Sequence, residues 1–548
     1  MKISKVRIEN FRSFGTPAVE INLSTGSGYF VIVGPNASGK TNLLEAIRWA
    51  TLNKNIGGDF IETWDFHNGK TDNLLNIELE IDPPLKHGDT FNRFVDVAVV
   101  KLEAKEYKVG EDKGSIRCDQ PALNIDKKPI LTDQTTPLAK GRTLSKEEKD
   151  AKQNPRPLLV RDIKKEIPIY YLDNASYSFH LTMKQGSLMS RLVRILHDDL
   201  MRDDNRISWR GRDQTRSEAI SEILKELGDI LKTTRTEEIL GLMGDFMSEQ
   251  LQIPRDSLDL KIGLPQGQEL LRKMELLGKD CSSMPEIPFE RLGRGYTALG
   301  IVALFRALNR LDDEHQGAIV LIEEPEIFLG PNLRMLFADT LQNFAQKGNQ
   351  VIVVTHSAEF FDPFLPNSAI LVKKESDATQ CIQWPTIAPI PSFDVSLKHI
   401  EPNLNKLLFS KRVLFVEGDD DYAAINAALA LLNISPAYVG LEILRLGGFG
   451  NIKHLAPYAK NFNIVHATLL DANAKPVLES IDFSGKTWRL FDPDLEGVLN
   501  TSKHNENSIH VYNCVKSYGS WDSLKKNCSK FTKALQEIFV ILSINNSS

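Results

Sequence analysis

Cysteine is scarce in this sequence: Cys118, Cys281, Cys381, Cys514 and Cys528 are the five in 548 residues, and no two stand in CxxC spacing. That excludes a zinc-ribbon or disulfide-scaffold protein and reads as reduced thiols in a cytoplasmic setting. No stretch supplies the roughly 20 consecutive apolar residues that a membrane-spanning helix needs, so no membrane partner is expected. An excess of positive charge is missing too, with 66 Lys and Arg against 72 Asp and Glu and a formal net charge of -6. A generally cationic nucleic-acid surface is thereby excluded, although a local groove still attracts phosphates within a nearly neutral chain.

Apolar residues are plentiful at 42%. At this length they serve two or three domains of about 100 to 200 residues each. The first informative segment is the apolar run Tyr29-Phe30-Val31-Ile32-Val33, followed by Gly34-Pro35-Asn36-Ala37-Ser38-Gly39-Lys40-Thr41. Here GxxxxGK[ST] follows a buried strand and precedes Leu43, Leu44, Ala46 and Ile47 at helical spacing. Backbone N–H groups of such a loop surround phosphate oxygens, Lys40 adds charge, and Thr41 is placed to hold magnesium. Asn36, Ala37, Ser38, Gly39 and Asn42 complete the candidate ATP-binding set.

Far downstream, Ala318 to Ile322 runs into Glu323-Glu324-Pro325-Glu326, and Val353-Val354-Thr355-His356-Ser357 forms another strand exit. Glu323 at a strand end suits the magnesium shell, and Glu324 suits polarisation of attacking water. His356 stands where a γ-phosphate sensor is expected.

Between these motifs, alternation predicts strands over Lys2 to Ile8, Ala18 to Leu23, Asn76 to Asp82 and Phe94 to Tyr107, with another over Ile167 to Leu172. Residues 131–157 are polar and proline-bearing and read as a loop or linker. Leu188 to Leu200 and Arg216 to Leu251 read as helices. After a boundary near Lys398 to Ser410, strands are expected over Val413 to Val416, Leu441 to Leu446, Ile464 to Leu470, Thr487 to Phe491 and Ser508 to Tyr512, with a helix over Ala423 to Leu432. Acids stand at the ends of three of these strands, in Glu417-Gly418-Asp419-Asp420-Asp421, Asp471-Ala472-Asn473 and Asp492-Pro493-Asp494-Leu495-Glu496. Strand-end acids distant in sequence converge on divalent ions in such sheets, while a solvated acidic edge gives the same composition.

The opening Ile8-Glu9-Asn10-Phe11-Arg12-Ser13-Phe14, the loop GPNASGKTNLLEA, and the IEEPE and THS segments resemble ABC-type ATPases of the branch that includes SMC, RecF and the OLD family. In that branch nucleotide is sandwiched between two heads, which implies a homodimer or higher homo-oligomer. Leu292-Gly293-Arg294-Gly295-Tyr296 is a degenerate match to the signature motif, and the resemblance places Gly293 and Gly295 at phosphate across that dimer. The later acids resemble a Toprim domain. Glu417 matches its first glutamate, Asp421 the acid four positions on, Asp471 and Asn473 its DxD pair with asparagine replacing the second aspartate, and Asp494-Leu495-Glu496 a DLE-like element.

An ABC-type head followed by Toprim is similar to the OLD (overcoming lysogenization defect) family over nearly the whole chain. The implied fold class is α/β, an ABC/SMC/RecF-like P-loop ATPase with a helical insertion followed by a Toprim α/β domain. The implied division is 1–174 and 263–398 for the two parts of the ATPase, 175–262 for a helical insertion acting as a dimerisation element, and 399–548 for Toprim. Glu417, Asp421, Asp471 and Glu496 are the expected main metal ligands, with Asp419, Asn473 and Asp494 secondary. Lys516 or Lys525 is expected to stabilise charge at the scissile phosphate. The cofactors implied are ATP and Mg2+, with Mn2+ as an option in the nuclease site because Asn473 is neutral.

The function expected is an ATP-regulated, metal-dependent DNA endonuclease acting in bacterial anti-phage defence, with an accessory protein or nucleic acid as a further partner. Two rivals stand beside it. One is a RecF-like DNA-binding ATPase with weak or absent cleavage; the other is topoisomerase-like cleavage and rejoining, for which no tyrosine nucleophile stands out.

Overall fold

The computed structural model describes residues 1–24, 28–51, 61–88, 94–106, 116–131, 157–163, 167, 169–173, 175–182, 184, 187–200, 202, 204, 206–231, 277–278, 287–288, 291, 293–311, 317–385, 388, 401–481, 487–499 and 508–544. They fall into two compact units, Met1–Tyr171 joined with Gly317–Ser548, and Leu172–Gln316. The linker expected at 131–157 and the helix expected beyond residue 231 lie almost wholly outside the described residues.

In the first unit the chain begins β1 (Lys2–Glu9), β2 (Val19–Asn22), β3 (Tyr29–Val33), α1 (Lys40–Thr51), β4 (Leu75–Gly88), β5 (Phe94–Glu106), β6 (Ile116–Asp119), β7 (Ala122–Leu123) and β8 (Ile169–Leu172). Strands β1, β2 and β4 to β6 form an antiparallel sheet in the order β2-β1-β4-β5-β6, with β7 paired to β5. The alternation in β1 has the cause expected of it: Ile3, Val6 and Ile8 are buried while their neighbours are half-exposed. By contrast β3 is buried at every position, as a central strand covered on both faces must be.

The second unit holds α2 (Leu188–Leu200), the hairpin β9 (Arg206–Trp209) and β10 (Arg212–Thr215), α3 (Arg216–Leu231), the short pair β11 (Leu277–Gly278) and β12 (Ile287–Pro288), and α4 (Arg294–Leu311).

Back in the first unit come β13 (Ile319–Glu323), α5 (Pro331–Gln346), β14 (Gln350–Val354), β15 (Ala369–Glu375) and β16 (Ala378–Gln383). They complete a second sheet in the order β16-β15-β3-β14-β13-β8. Here β3 is parallel to both β14 and β15. Helix α1 packs between the two sheets, and Leu43, Leu44, Ala46 and Ile47 share one core with Ile8, Leu79, Ile32 and Val354. Each such fully buried aliphatic side chain contributes about 1.5 to 3 kcal/mol.

The chain then forms α6 (Glu401–Phe409), β17 (Arg412–Val416), α7 (Asp419–Leu431), β18 (Leu441–Arg445), α8 (Ile452–Asn461), β19 (Val465–Asp471), β20 (Trp488–Phe491), α9 (Ser508–Ser517), α10 (Trp521–Asn527) and α11 (Ser529–Ile541). The four strands lie in the order β18-β17-β19-β20, all parallel. Three aspartates in the first turn of α7 complement its positive N-terminal dipole, and its alanines allow close packing.

One expected strand is corrected: Ser508 to Tyr512 is the start of α9. Val511 and Val515 are buried at helical i, i+4 spacing while Ile509 is exposed. A two-residue period would have put Ile509 and Val511 on the same face.

Candidate active sites

Local geometry dictates the glycines of the phosphate loop. Gly34 has φ +144°, and a Cβ there would lie 2.1 Å from the Val372 carbonyl oxygen; Gly39 has φ +106°, and its Cβ would lie 2.4 Å from Thr379 Oγ1. Only glycine tolerates both the backbone angle and the approach. Thr379 braces the loop by donating Oγ1 to the Ser38 carbonyl at 2.9 Å and its N–H to the Ser13 carbonyl at 2.7 Å. Asn42 Nδ2 donates to Ser13 Oγ at 2.8 Å. Asn36 and Ala37 form the exposed crest of the loop.

Two features fit this cradle to a polyphosphate. Ser38 is only 3% exposed, yet its Oγ has no hydrogen-bond partner. Lys40 is buried, and its Nζ donates to the Gly34 and Pro35 carbonyls, each at 2.9 Å. Burial pushes the Lys40 ammonium down to about 8, against the opposing pull of Glu324 and Glu326.

Glu323, at the end of β13, accepts from Thr41 Oγ1 at 2.6 Å on one oxygen and from the Tyr171 hydroxyl at 2.8 Å on the other. The Arg48 guanidinium lies 4.2 Å from the centroid of the Tyr171 ring. Glu324 has the left-handed φ of +48° and donates its N–H to the Val354 carbonyl at 2.8 Å. Its carboxylate is 3.9 Å from His356 Nε2. Glu326 clamps the β14 exit, accepting from Thr355 Oγ1 and from the His356 N–H, both at 2.7 Å. Partial burial, then Lys40, lowers the His356 pKa; Glu326 and Glu324 oppose them. Gly293 and Gly295 lie in the second unit, where the exposed start of α4 is closed by Tyr296 and Thr297 N–H groups on the Gly293 carbonyl.

The second constellation occupies the carboxyl ends of β17, β19 and β20. Asp421 is 7% exposed, and its Oδ2 accepts from the Gly418 N–H at 2.9 Å. Asp471 Oδ1 accepts from the Leu495 N–H at 3.0 Å, which ties the end of β19 to the segment after β20. Asp494 Oδ1 accepts from the Gly497 N–H at 2.8 Å. The Phe449 N–H lies near enough to the Glu417 carboxylate to oppose the rise in its pKa, while its buried Oε2 has no hydrogen-bond partner.

These acids repel one another. Burial, then the nearby Asp471, Glu417 and Asp420, pushes Asp421 up to about 7. Burial, then Glu417, Glu496 and Asp494, pushes Asp471 up to about 6. Glu417 is also raised, by burial and by Glu496. Uncompensated carboxylates with an orphaned buried oxygen are the donor set that suits a hard divalent cation. Among the described residues no three such side chains close tightly enough on one point to cage an ion as they stand.

Other expected residues lie differently. Asp419 is exposed and forms an ion pair with Arg445 at 2.6 Å, and that guanidinium also sits over the Tyr422 ring. Asn473 is exposed, two positions beyond Asp471 in the turn Ala472–Ala474. Lys516 and Lys525 are exposed on α9 and α10. The lysine touching the DLE segment's strand exit is Lys530, whose Nζ donates to the Asp492 carbonyl at 3.2 Å. Sequence reasoning missed Lys530, Tyr171 and Thr379, because nothing in their local pattern marks the contacts they make.

Comparison with known proteins agrees with this two-site layout. Residues 1–361 match the AAA ATPase domain family, and residues 408–472 match the TOPRIM domain of overcoming-lysogenization-defect-like proteins. The chain belongs to the AAA ATPase domain family and carries an OLD-like Toprim domain. It is 24% identical over 498 residues to the OLD nuclease of Thermus scotoductus, covering 88% of this chain and 84% of that protein. It is 23% identical over 471 residues to the Old nuclease of Escherichia phage P2, covering 79% and 70%. Among solved structures, the Smc head bound to the C-winged helix domain of ScpA aligns over 70% of this chain and 99% of its own, with 14% identity and a TM-score of 0.36. The chain is thus an ATPase domain followed by a Toprim domain. Among the described residues no helix is long and apolar enough to cross a membrane.

Proposed function

We propose that this chain is an ATP-regulated, divalent-metal-dependent DNA endonuclease that works as a homodimer or higher homo-oligomer in bacterial anti-phage defence. The observation that carries the reading is the mutual repulsion of Glu417, Asp421, Asp471 and Glu496, drawn from segments far apart in the chain to one end of a parallel sheet. Retaining buried, uncompensated carboxylates costs stability, and functional sites are where such costs concentrate.

At the nucleotide site, the loop N–H groups and Lys40 hold phosphates, while Thr41 and Glu323 are placed for magnesium. Glu324 orients the attacking water, and His356 reads the γ-phosphate. Gly293 and Gly295 reach nucleotide from the partner copy.

At the acidic cluster, Glu417, Asp421, Asp471 and Glu496 would hold the divalent ions, with Asn473 and Asp494 adjoining. The ions supply Lewis-acid activation of water and neutralisation of charge on the scissile phosphate. The chain's own residues fix the donors. Gly418 N–H orients Asp421, Leu495 N–H orients Asp471, and the Gly447 and Gly448 N–H groups hold the Glu417 backbone carbonyl. A late lysine, Lys516, Lys525 or Lys530, supplies positive charge to the DNA backbone.

A supercoiled-plasmid assay with magnesium or manganese tests the proposal. Nicking or linearisation that disappears in Glu417→Ala, with ATP hydrolysis retained, supports it. DNA binding without cleavage by the wild-type protein in either metal would replace it with a DNA-binding ATPase, and religated topoisomers with a topoisomerase.

A further inference from the structure

The nucleotide strand exit and the acidic cluster are joined by specific contacts within the first unit. His356 lies 6.2 Å, centroid to centroid, from the ring of Phe409, the last residue of α6. That helix runs directly into β17, the strand that delivers Glu417. Beyond His356 the chain makes the turn Ala358–Phe360 and reaches Pro363, whose carbonyl accepts the buried Tyr458 hydroxyl at 2.5 Å.

Tyr458 lies on α8. Leading into that helix is the turn Phe449–Asn451, and just before it Gly447 and Gly448 donate to the Glu417 carbonyl at 3.0 and 3.3 Å. Just beyond the far end of α8, the Asn463 carbonyl accepts Lys373 Nζ at 3.4 Å, and Trp384 of the ATPase packs on Tyr458 and Phe462 at 5.1 and 5.6 Å. The ATPase therefore grips the C-terminal end of α8, and the turn before the helix's other end donates to the backbone of the first acid of the cluster.

We propose that Tyr458 and Phe409 are positioning residues that pass the state of the His356 strand exit to Glu417, so that nucleotide occupancy sets the placement of that carboxylate. This rests on the reading of the chain as a nucleotide-regulated nuclease and names the route of the regulation. Physically, a bound polyphosphate takes the Lys40 donors now spent on loop carbonyls and adds negative charge beside His356, which faces Lys40, Glu324 and Glu326. A shift of α8 as a rigid rod by about 1 to 2 Å is an ordinary response of a packed helix. Misplacing a catalytic group by about 1 Å changes a rate on the order of a hundredfold.

The test uses the full chain with Tyr458→Phe, which deletes the hydroxyl and keeps the ring against Trp384, and with Phe409→Leu. Plasmid cleavage is measured with and without a non-hydrolysable ATP analogue, ATP hydrolysis in parallel, and backbone hydrogen exchange over residues 446–452 with and without the analogue in the absence of DNA. The expected result is a wild-type cleavage ratio different from one and an analogue-dependent change in exchange. Both are lost in each variant, with ATP hydrolysis retained. Variants that keep the wild-type ratio and exchange response overturn the route while leaving regulation standing. A wild-type ratio of one removes regulation itself, and the route with it. If Tyr458→Phe loses its fold, as shown by lost ATP hydrolysis and early melting, Phe409→Leu decides the matter by the same two readouts.

Discussion

Replacing Asp421 with asparagine should stabilise the metal-free protein at alkaline pH and do much less in acid. Asp421 is raised from 3.8 to about 7 in the folded chain, by burial first and then by Asp471, Glu417 and Asp420. The folded state therefore holds this proton more tightly than the unfolded state does. Its contribution to stability falls as pH rises above about 4, and the full penalty is in place above about 7. At about 1.36 kcal/mol for each tenfold change in proton affinity, the penalty is about 4 kcal/mol. Asparagine removes the charge and keeps an oxygen for the Gly418 N–H, so the cap of α7 survives. Denaturant unfolding in EDTA should show the variant more stable by about 4 kcal/mol near pH 8, with the gain falling to less than half of that near pH 5. A variant no more stable than wild type near pH 8, or a gain indifferent to pH, would refute the claim that this carboxylate is buried among like charges.

Two further outcomes follow from the nucleotide site. Tyr171→Phe removes one of the two donors to Glu323 while keeping a ring beneath Arg48. The loss of about 1 to 1.5 kcal/mol should lower ATP turnover by about tenfold, and phosphate release at the wild-type rate would contradict that role. Gly34→Ala drives a methyl group to 2.1 Å from the Val372 carbonyl at a φ of +144°. It should abolish nucleotide binding measured by equilibrium dialysis, and unchanged affinity would show that the loop does not need this backbone.

Much of the ATPase and part of the acidic cluster were legible because strand-end chemistry leaves local marks. The run from Tyr29 to Val33 is too apolar for anything but a covered strand, and the glycines after it announce an unusual backbone. Acids directly after Phe415-Val416 and Leu469-Leu470 announce charge at the mouth of a sheet. What stayed hidden was set by tertiary contact. Tyr171 meets Glu323 across 152 positions, and Thr379 meets Ser38 across 341. The direction in which Asp419 turns depends on Arg445, a residue on another strand. Ser508 to Tyr512 misled because a short β-branched alternation also suits one buried helix face, and only Val511 and Val515 against their neighbours reveal which period applies.

The place of β3 in its sheet has a consequence for biosynthesis. Its partners there, β14 and β15, both come from residues 350–375, more than three hundred positions later. A nascent chain that has released only its first hundred residues from the ribosome carries the loop sequence without the lattice that shapes it. The ATPase domain is thus completed late in translation, and the Toprim segment emerges after it.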